Sequence, residues 1–223
     1  MAARLTIVVP VLNEAERIAA TLESLAPLRR RGHEVIVVDG ASEDASAALA
    51  APLCDRLLQA PRGRAAQMNA GARVAGGDAL VFLHADTRLP AHADRLVGSA
   101  LKEKLWGRFD VEIEGRSPAL ALVAALMNWR SRLTGIATGD QAIFVRREAF
   151  PGFPEIPLME DVALSRELKR RGRPACLRSR VRTSGRRWEA RGVLRTVLFM
   201  WRLRLLYALG VAPERLARQY DRW

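Results

Sequence analysis

Apolar positions in the first eighty residues follow two alternating patterns. Leu5 to Val11 (LTIVVPV), Glu34 to Val38 (EVIVV) and Ala79 to Leu83 (ALVFL) are continuous runs rich in β-branched residues. Such runs predict strands covered on both faces. Pro10 sits near the end of the first, where a lost ladder hydrogen bond costs least. Between the runs, apolar residues recur at helical spacing. Ile18, Leu22 and Leu25 do so in a segment opened by Asn13 and Glu14 and ending near Pro27. Further helices are predicted over 45–51 and, led in by Gly63, from about 64 to 74, with a short third strand at 55–59. This β-α-β-α order predicts an α/β fold with a doubly wound, mostly parallel sheet. Ligands of such sheets bind beyond the carboxyl ends of the strands. Asp39 and Asp86 both fall there.

The second half is less regular. Residues 119–133 and 193–211 read as helices and 142–145 as a short strand. Residues 158–171 combine a loop, Met159-Glu160-Asp161, with a helix carrying Val162, Leu164 and Leu168. No proline-rich or serine-rich linker divides the chain. Residues 1–190 therefore read as one catalytic-size domain, and 191–223 as a helical appendage packed on it or lying at a membrane surface.

Composition narrows the class. Of 223 residues, 49% are hydrophobic and occur in periodic segments, which excludes a disordered chain. Met1 to Arg4 runs straight into the first strand with no small-residue cleavage site, so a cytoplasmic location is expected. Two cysteines, Cys54 and Cys176, are too few for a disulfide framework and are expected as buried free thiols. The formal charge of +12 favours anionic partners: nucleic acid, an anionic membrane surface or phosphate-bearing substrates. Only Lys102, Lys104 and Lys169 of the 36 basic residues are lysine, and the arginine bias suits phosphate forks.

Carboxylates at strand ends are the candidate chemistry. Asp39, with Asp44 in VVDGASED, fits either a helix cap or an acceptor for a uracil edge or ribose hydroxyls. Asp86 in FLHADT fits either a turn or a hard oxygen ligand that joins Mg²⁺ or Mn²⁺ to a diphosphate.

The series VVPVLNE (8–14), VVDGASED (37–44), GRAAQMNAGA (63–72), FLHADT (82–87), GDQAIFVRR (139–147) and MEDVALSREL (159–168) resembles the family 2 inverting glycosyltransferases. The resemblance implies a GT-A fold and a nucleoside-diphosphate sugar donor, with UDP favoured. It implies nucleotide contacts at Pro10, Asn13, Glu14 and Asp39. His84-Ala85-Asp86 stands where the family has its D-x-D metal motif, which implies Asp86, with His84, as metal ligands. Glu160-Asp161 matches the family's acidic pair, and Asp161 is then the general base toward an acceptor hydroxyl. Two departures matter: the first D-x-D position is histidine, and Arg186-Arg187-Trp188 lacks the upstream glutamine of processive members, Ser184 standing there. Processive synthesis is therefore not expected.

Arg64 and Arg187 are candidate phosphate forks or else solvated surface residues. Asp140 and Gln141 are candidates for the acceptor side or else turn residues. The 193–211 stretch nears membrane-span length, but Arg195, Arg202 and Arg204 interrupt it. With Leu198, Trp201 and Leu205 it reads as an interfacial helix, and 119–133, with Trp129, Arg130 and Arg132, has the same character. Peripheral association with the inner face of the cell membrane and a lipid-linked acceptor are expected from this, against packing on the domain or a second subunit. Two other classes fit the sequence less well. A nucleic-acid-binding protein lacks any zinc-finger, RNP or basic-zipper signature here. A nucleotidyltransferase would show a glycine-rich basic loop after the first strand, where this chain reads VLNEAER.

Overall fold

The computed structural model describes residues 3–223. Strands β1 (Leu5–Val11), β2 (Glu34–Asp39), β3 (Arg56–Gln59) and β4 (Ala79–Phe82) form a parallel quartet in the order β3-β2-β1-β4. The apolar runs of β1, β2 and β4 are explained by two buried faces, while β3 at the edge is exposed or half-buried throughout. Ile7, Val9, Val35, Val37 and Val81 join one core, while Val8, Ile36, Val38, Leu80 and Phe82 join the other.

Helix α1 (Ala15–Arg30) covers the first face through Ile18, Leu22, Leu25 and Leu28. It runs past Pro27, where the sequence predicted its end. Buried Leu28 holds the last turn although proline removes one hydrogen bond from it. After α2 (Ser46–Ala50), helix α3 (Arg64–Arg73) lies on the second face. Gly71 lets it approach closely, since a Cβ there would sit 2.5 Å from Val8 Cγ1.

The sheet then turns mixed. Beyond β4 come β5 (Thr87–Arg88), α4 (Ala93–Glu103), β6 (Trp106–Glu114), α5 (Ala119–Thr134), β7 (Phe144–Arg146), α6 (Glu160–Arg171) and β8 (Ala175–Ser184). The full order is β3-β2-β1-β4-β7-β6-β8-β5, with β7 antiparallel to both neighbours and β8 parallel to β6. Four of the seven pairings are parallel. The segment Met159-Glu160-Asp161, read as a loop, places its two acids in the first turn of α6.

Strand β6 carries a fully buried arginine. Each nitrogen of Arg108 has a partner there: Nε donates to Ser131 Oγ at 3.1 Å, Nη2 to the Asn128 carbonyl at 3.1 Å, and Nη1 pairs with Asp110. Arg132 closes on the other Asp110 oxygen, so strand and helix α5 are pinned by one paired network.

Helices α7 (Arg186–Arg191), α8 (Val193–Ala208) and α9 (Pro213–Asp221) complete the fold. Leu203 and Leu216 pack with Leu158, Met159 and Val162, seating the last two helices on the start of α6. The predicted helix to Val211 stops at Ala208, and Gly210 turns the chain at φ 86°. Among the described residues no helix is long and apolar enough to cross a membrane. Cys54 is buried as expected, but Cys176 on β8 is only half-buried.

Away from the sheet's carboxyl edge, Asp94 on α4 joins α1 and β2. Arg31 Nε lies 2.7 Å and His33 Nε2 3.2 Å from its Oδ2. Burial works to raise its pKa, but these partners outweigh it and hold the carboxyl at about 2. A depressed carboxylate pKa stabilises the fold above its unfolded value near 3.9, and that contribution is lost as pH falls toward 2. We expect Asp94→Asn to lower stability by about 2 kcal/mol at neutral pH, with wild type and variant converging near pH 2. Urea melts at pH 7 and pH 2.5 test this; an equal gap at both would remove Asp94 from acid sensitivity.

Candidate active site

The carboxyl ends of β1, β2 and β4 meet the first turn of α6 and the turn at 139–141. Past β1, Asn13 takes a left-handed φ of 54°. Its N–H donates to Ser42 Oγ at 3.0 Å, and its Oδ1 accepts from the Glu43 N–H at 2.8 Å. Asn13 thus stitches the loop after β1 to the loop after β2. Asp44 completes the stitch by accepting from the Ala15 N–H at 3.0 Å and the Ser46 N–H at 2.9 Å. Its place is that of a cap rather than a ligand contact.

Asp39 ends β2 almost fully buried. One oxygen accepts from the Ser42 N–H at 3.0 Å, and the other is buried with no partner. Gln67 fixes the surroundings: from α3 its Nε2 donates to the Val11 and Val38 carbonyls, both at 2.8 Å. This holds the ends of β1 and β2 on either side of Asp39. The sequence singled out the GRAAQMNAGA segment without giving Gln67 a role. Pro10 lies buried near the end of β1, opposite Val38.

Glu14 and Asp86 form the next layer. Burial first, and then the Asp86 carboxylate, raise the Glu14 pKa against the pull of Arg186 and Arg17. Glu14 Oε2 is buried with no hydrogen-bond partner. Two carboxylates in such like-charge proximity suit a divalent cation, and hard oxygens are its preferred donors. Among the described residues no three ligating side chains cluster, so the remaining positions would fall to phosphate oxygens and water. Both ring nitrogens of His84 meet protein groups. Its Nδ1 lies 3.3 Å from Asp140 Oδ1, and its Nε2 edge packs against Gly139, where a Cβ would come within 2.4 Å. Burial alone would lower the His84 pKa, but the bond to Asp140 and its charge raise it above the ordinary value. Burial likewise opposes ionisation of Asp140, and the His84 bond nevertheless holds its pKa down.

Opposite lies the acidic pair. Glu160 is almost fully buried and meets Arg64 Nε at 2.9 Å. Burial raises its pKa, Arg64 opposes this, and Asp161 adds to the rise. Asp161 accepts from the Gly139 N–H at 2.8 Å and from its neighbour Val162 N–H at 2.7 Å. One glycine therefore touches both the His84 ring and the Asp161 carboxylate. Gln141 is fully buried, its Oε1 accepts from the Thr138 N–H at 3.2 Å and its Nε2 donates to Asn128 Oδ1 at 3.3 Å. It braces the turn that presents Gly139 and Asp140. Arg187 is exposed and bonded to the Tyr220 hydroxyl, yet its charge bears on both Glu14 and Asp140. Tyr220 itself drew no notice in the sequence.

Five non-glycine residues with positive φ occur among the described residues, and four border this site: Asn13, Ala41, Ala142 and Met159. Strained backbone of this kind gathers where geometry must be fixed.

The family model described as glycosyl transferase family 2 matches residues 6–118. The chain belongs to that family. Among solved structures, the family 2 chain is similar in fold to the mannosyltransferase PcManGT from Pyrobaculum calidifontis, described in complex with GDP-Man and Mn²⁺. Identity is 23%, the match covers 82% of this chain and 57% of the other, and the TM-score is 0.61. TarS from S. aureus in complex with UDP-GlcNAc shares 16% identity over 81% of this chain and 58% of its own, with a TM-score of 0.65. Glucosyl-3-phosphoglycerate synthase from Mycobacterium tuberculosis, in complex with Mn²⁺, UDP and glucosyl-3-phosphoglycerate, shares 20% over 81% and 71%, with a TM-score of 0.58. The chain spans less than two thirds of the length of the first two. No curated protein matches it. The fold is GT-A. The family match contains Asn13, Glu14, Asp39, Arg64, His84 and Asp86, whereas Asp140, Glu160, Asp161 and Arg187 lie beyond it.

Proposed function

We propose that this chain moves a sugar from a nucleoside-diphosphate donor to a hydroxyl acceptor with inversion, working at an anionic membrane surface. The observation that carries the reading is the meeting at one sheet edge of an unpaired buried Asp39 oxygen, the Glu14 and Asp86 carboxylates, and Asp161 at the start of α6.

An unpaired buried acceptor is costly, and Asp39 recovers that cost when a base N–H or ribose hydroxyl donates to it. Mg²⁺ or Mn²⁺ between Asp86 and the diphosphate would neutralise charge on the leaving group. Asp86, with Glu14 beside it, is the residue to hold it. Arg64 is two-fifths exposed at its side chain and fixed to Glu160, so it offers a cation at the rim without swinging free. Asp161 keeps a lone pair on each oxygen beyond the two backbone bonds and takes the acceptor proton as that hydroxyl attacks the anomeric carbon from the face opposite the diphosphate.

The membrane reading rests on where the apolar surface lies. Leu122, Leu126, Trp129 and Leu133 on α5 are exposed, as are Leu194, Leu198, Trp201 and Leu205 on α8, with Leu209 just after it. Arginines accompany them, and neither helix contains an acidic residue. An apolar, cationic face with tryptophan at its edge fits an anionic headgroup layer. Residues 191–223 then serve as an interfacial appendage to the 1–190 domain.

A thermal-shift and calorimetric comparison of UDP- and GDP-sugars, each with and without Mn²⁺, tests the donor reading. Asp39→Ala is expected to weaken binding about tenfold or more under both conditions. Asp86→Ala is expected to remove chiefly the gain that Mn²⁺ provides. Unchanged affinity in both variants would falsify the assignment.

A further inference from the structure

A cavity of about 150 Å³ lies between α5, α6 and α8. Arg130, Thr134, Val162, Arg166, Arg204 and Tyr207 line it. Arg130 Nε and Nη2 and Arg204 Nε are buried and have no hydrogen-bond partner among the described residues. Arg108 on β6, which faces α5 through Ser131 and Asn128, shows the contrast: each nitrogen of its guanidinium is bonded to protein. Burying an unpaired charge is among the costliest things a fold can do, and the cavity adds like charges to it: Arg130 and Arg204 share it with Arg166, which lies over the Tyr207 ring at 5.0 Å. Burial and the Arg204 charge push the Arg130 guanidinium down to about 10, so it remains a cation at neutral pH.

The unmet donors have a shape. Nε and Nη2 form one edge of the Arg130 guanidinium, the pair of parallel N–H groups that grips two oxygens of a phosphate at once. Arg204 Nε supplies a third donor from the facing helix. The space corresponds to roughly five waters, enough for a phosphate group and too little for a nucleotide sugar. Val162 places the cavity one residue from Asp161, whose charge reaches Arg130. The exposed leucines and tryptophans of α5 and α8 belong to the same two helices.

We propose that Arg130 and Arg204 form a phosphate subsite for the acceptor, so that the hydroxyl presented to Asp161 belongs to a phosphate-bearing molecule. This rests on the glycosyltransferase reading for what the phosphate is attached to, but not for the phosphate site itself. The phosphate could be carried by a lipid or by a soluble acceptor, and both present the same oxygens.

The test uses the full chain, Arg130→Met and Arg204→Met. Each substitution removes one unpaired buried charge at similar volume, so both variants are expected to fold and to melt no lower than wild type. Inorganic phosphate is expected to raise the wild-type Tm and to bind the variants about tenfold to a hundredfold more weakly by calorimetry. Glycerol 3-phosphate is compared with phosphatidylcholine vesicles containing or lacking phosphatidic acid. An Arg130-dependent response confined to phosphatidic acid vesicles supports the subsite with a lipid source. One given by glycerol 3-phosphate supports it with a soluble source. Equal responses in all three proteins, or no response to any phosphate probe, overturn it. Binding of UDP- and GDP-sugars with Mn²⁺ is followed in parallel and is expected to be unchanged by either variant. Failure of donor binding in the wild type would remove the glycosyltransferase reading and leave the phosphate result standing.

Discussion

Asp161→Asn is expected to bind a nucleotide-sugar donor as tightly as the wild type and to transfer the sugar at least about a hundredfold more slowly. The amide cannot accept the acceptor proton, whereas Asp39, Glu14, Asp86 and Gln67 on the donor side are untouched. The substitution also changes a structural contact. Asp161 accepts from two backbone amides, one through each oxygen. Asparagine has one oxygen, so either the Gly139 or the Val162 N–H loses its acceptor, at a cost of about 1–3 kcal/mol. A modest fall in Tm should therefore accompany the loss of turnover. Single-turnover transfer, donor calorimetry and a melt on the same preparation separate the two effects. Near-normal turnover would exclude Asp161 as the base.

Charge reversal on the exposed face should have the next largest effect. Replacing Arg195 and Arg202 by glutamate changes the charge of α8 by four units, each contributing about 1 kcal/mol near an anionic surface before screening. Partition onto vesicles rich in anionic lipid should fall by about a thousandfold at low salt. The difference should shrink as salt rises, because the two positions are solvent-exposed. Neutral vesicles should respond far less. Co-sedimentation decides the matter: wild-type protein left in the supernatant with anionic vesicles at low salt would make the α5 and α8 faces ordinary packing surfaces.

Strands β1, β2 and β4 were readable in the chain because both of their faces are buried, which leaves Thr6 as the one polar residue inside Leu5–Val11 and none between Glu34 and Asp39. Strands β6 and β8 lacked that signature for two different reasons. In β6, Arg108 and Asp110 look like solvent-facing charges but neutralise one another inside. In β8, Arg178, Arg180 and Arg182 alternate outward, so only Val181 and Thr183 are fully buried. Helix α4 did carry a signal, with Ala93, Val97 and Leu101 at four-residue spacing.

The site divides along the same line. Asp39 and Asp86 were legible as candidates because they stand at the ends of apolar strands, and Glu14 only through the family resemblance of its segment. That His84 is tied to Asp140, 56 positions on, and Gln141 to Asn128, 13 positions back, depends on contacts that no local pattern records. The Arg130 and Arg204 pair was visible only as helix charge, since nothing in a linear pattern distinguishes a guanidinium that meets water from one that does not.

The positive-φ residues around the site have a further consequence. Ala41, Ala142 and Met159 each hold a conformation that glycine would adopt without strain, at a cost on the order of 1–2 kcal/mol apiece. Glycine at these positions is therefore a ready route to a tougher protein. A directed-evolution campaign that rewarded heat tolerance alone would tend to find it. What it would sacrifice is stiffness: Ala41 lies two residues from Asp39 and Met159 two from Asp161, and a hinge at either would let the donor and acceptor sides drift out of register.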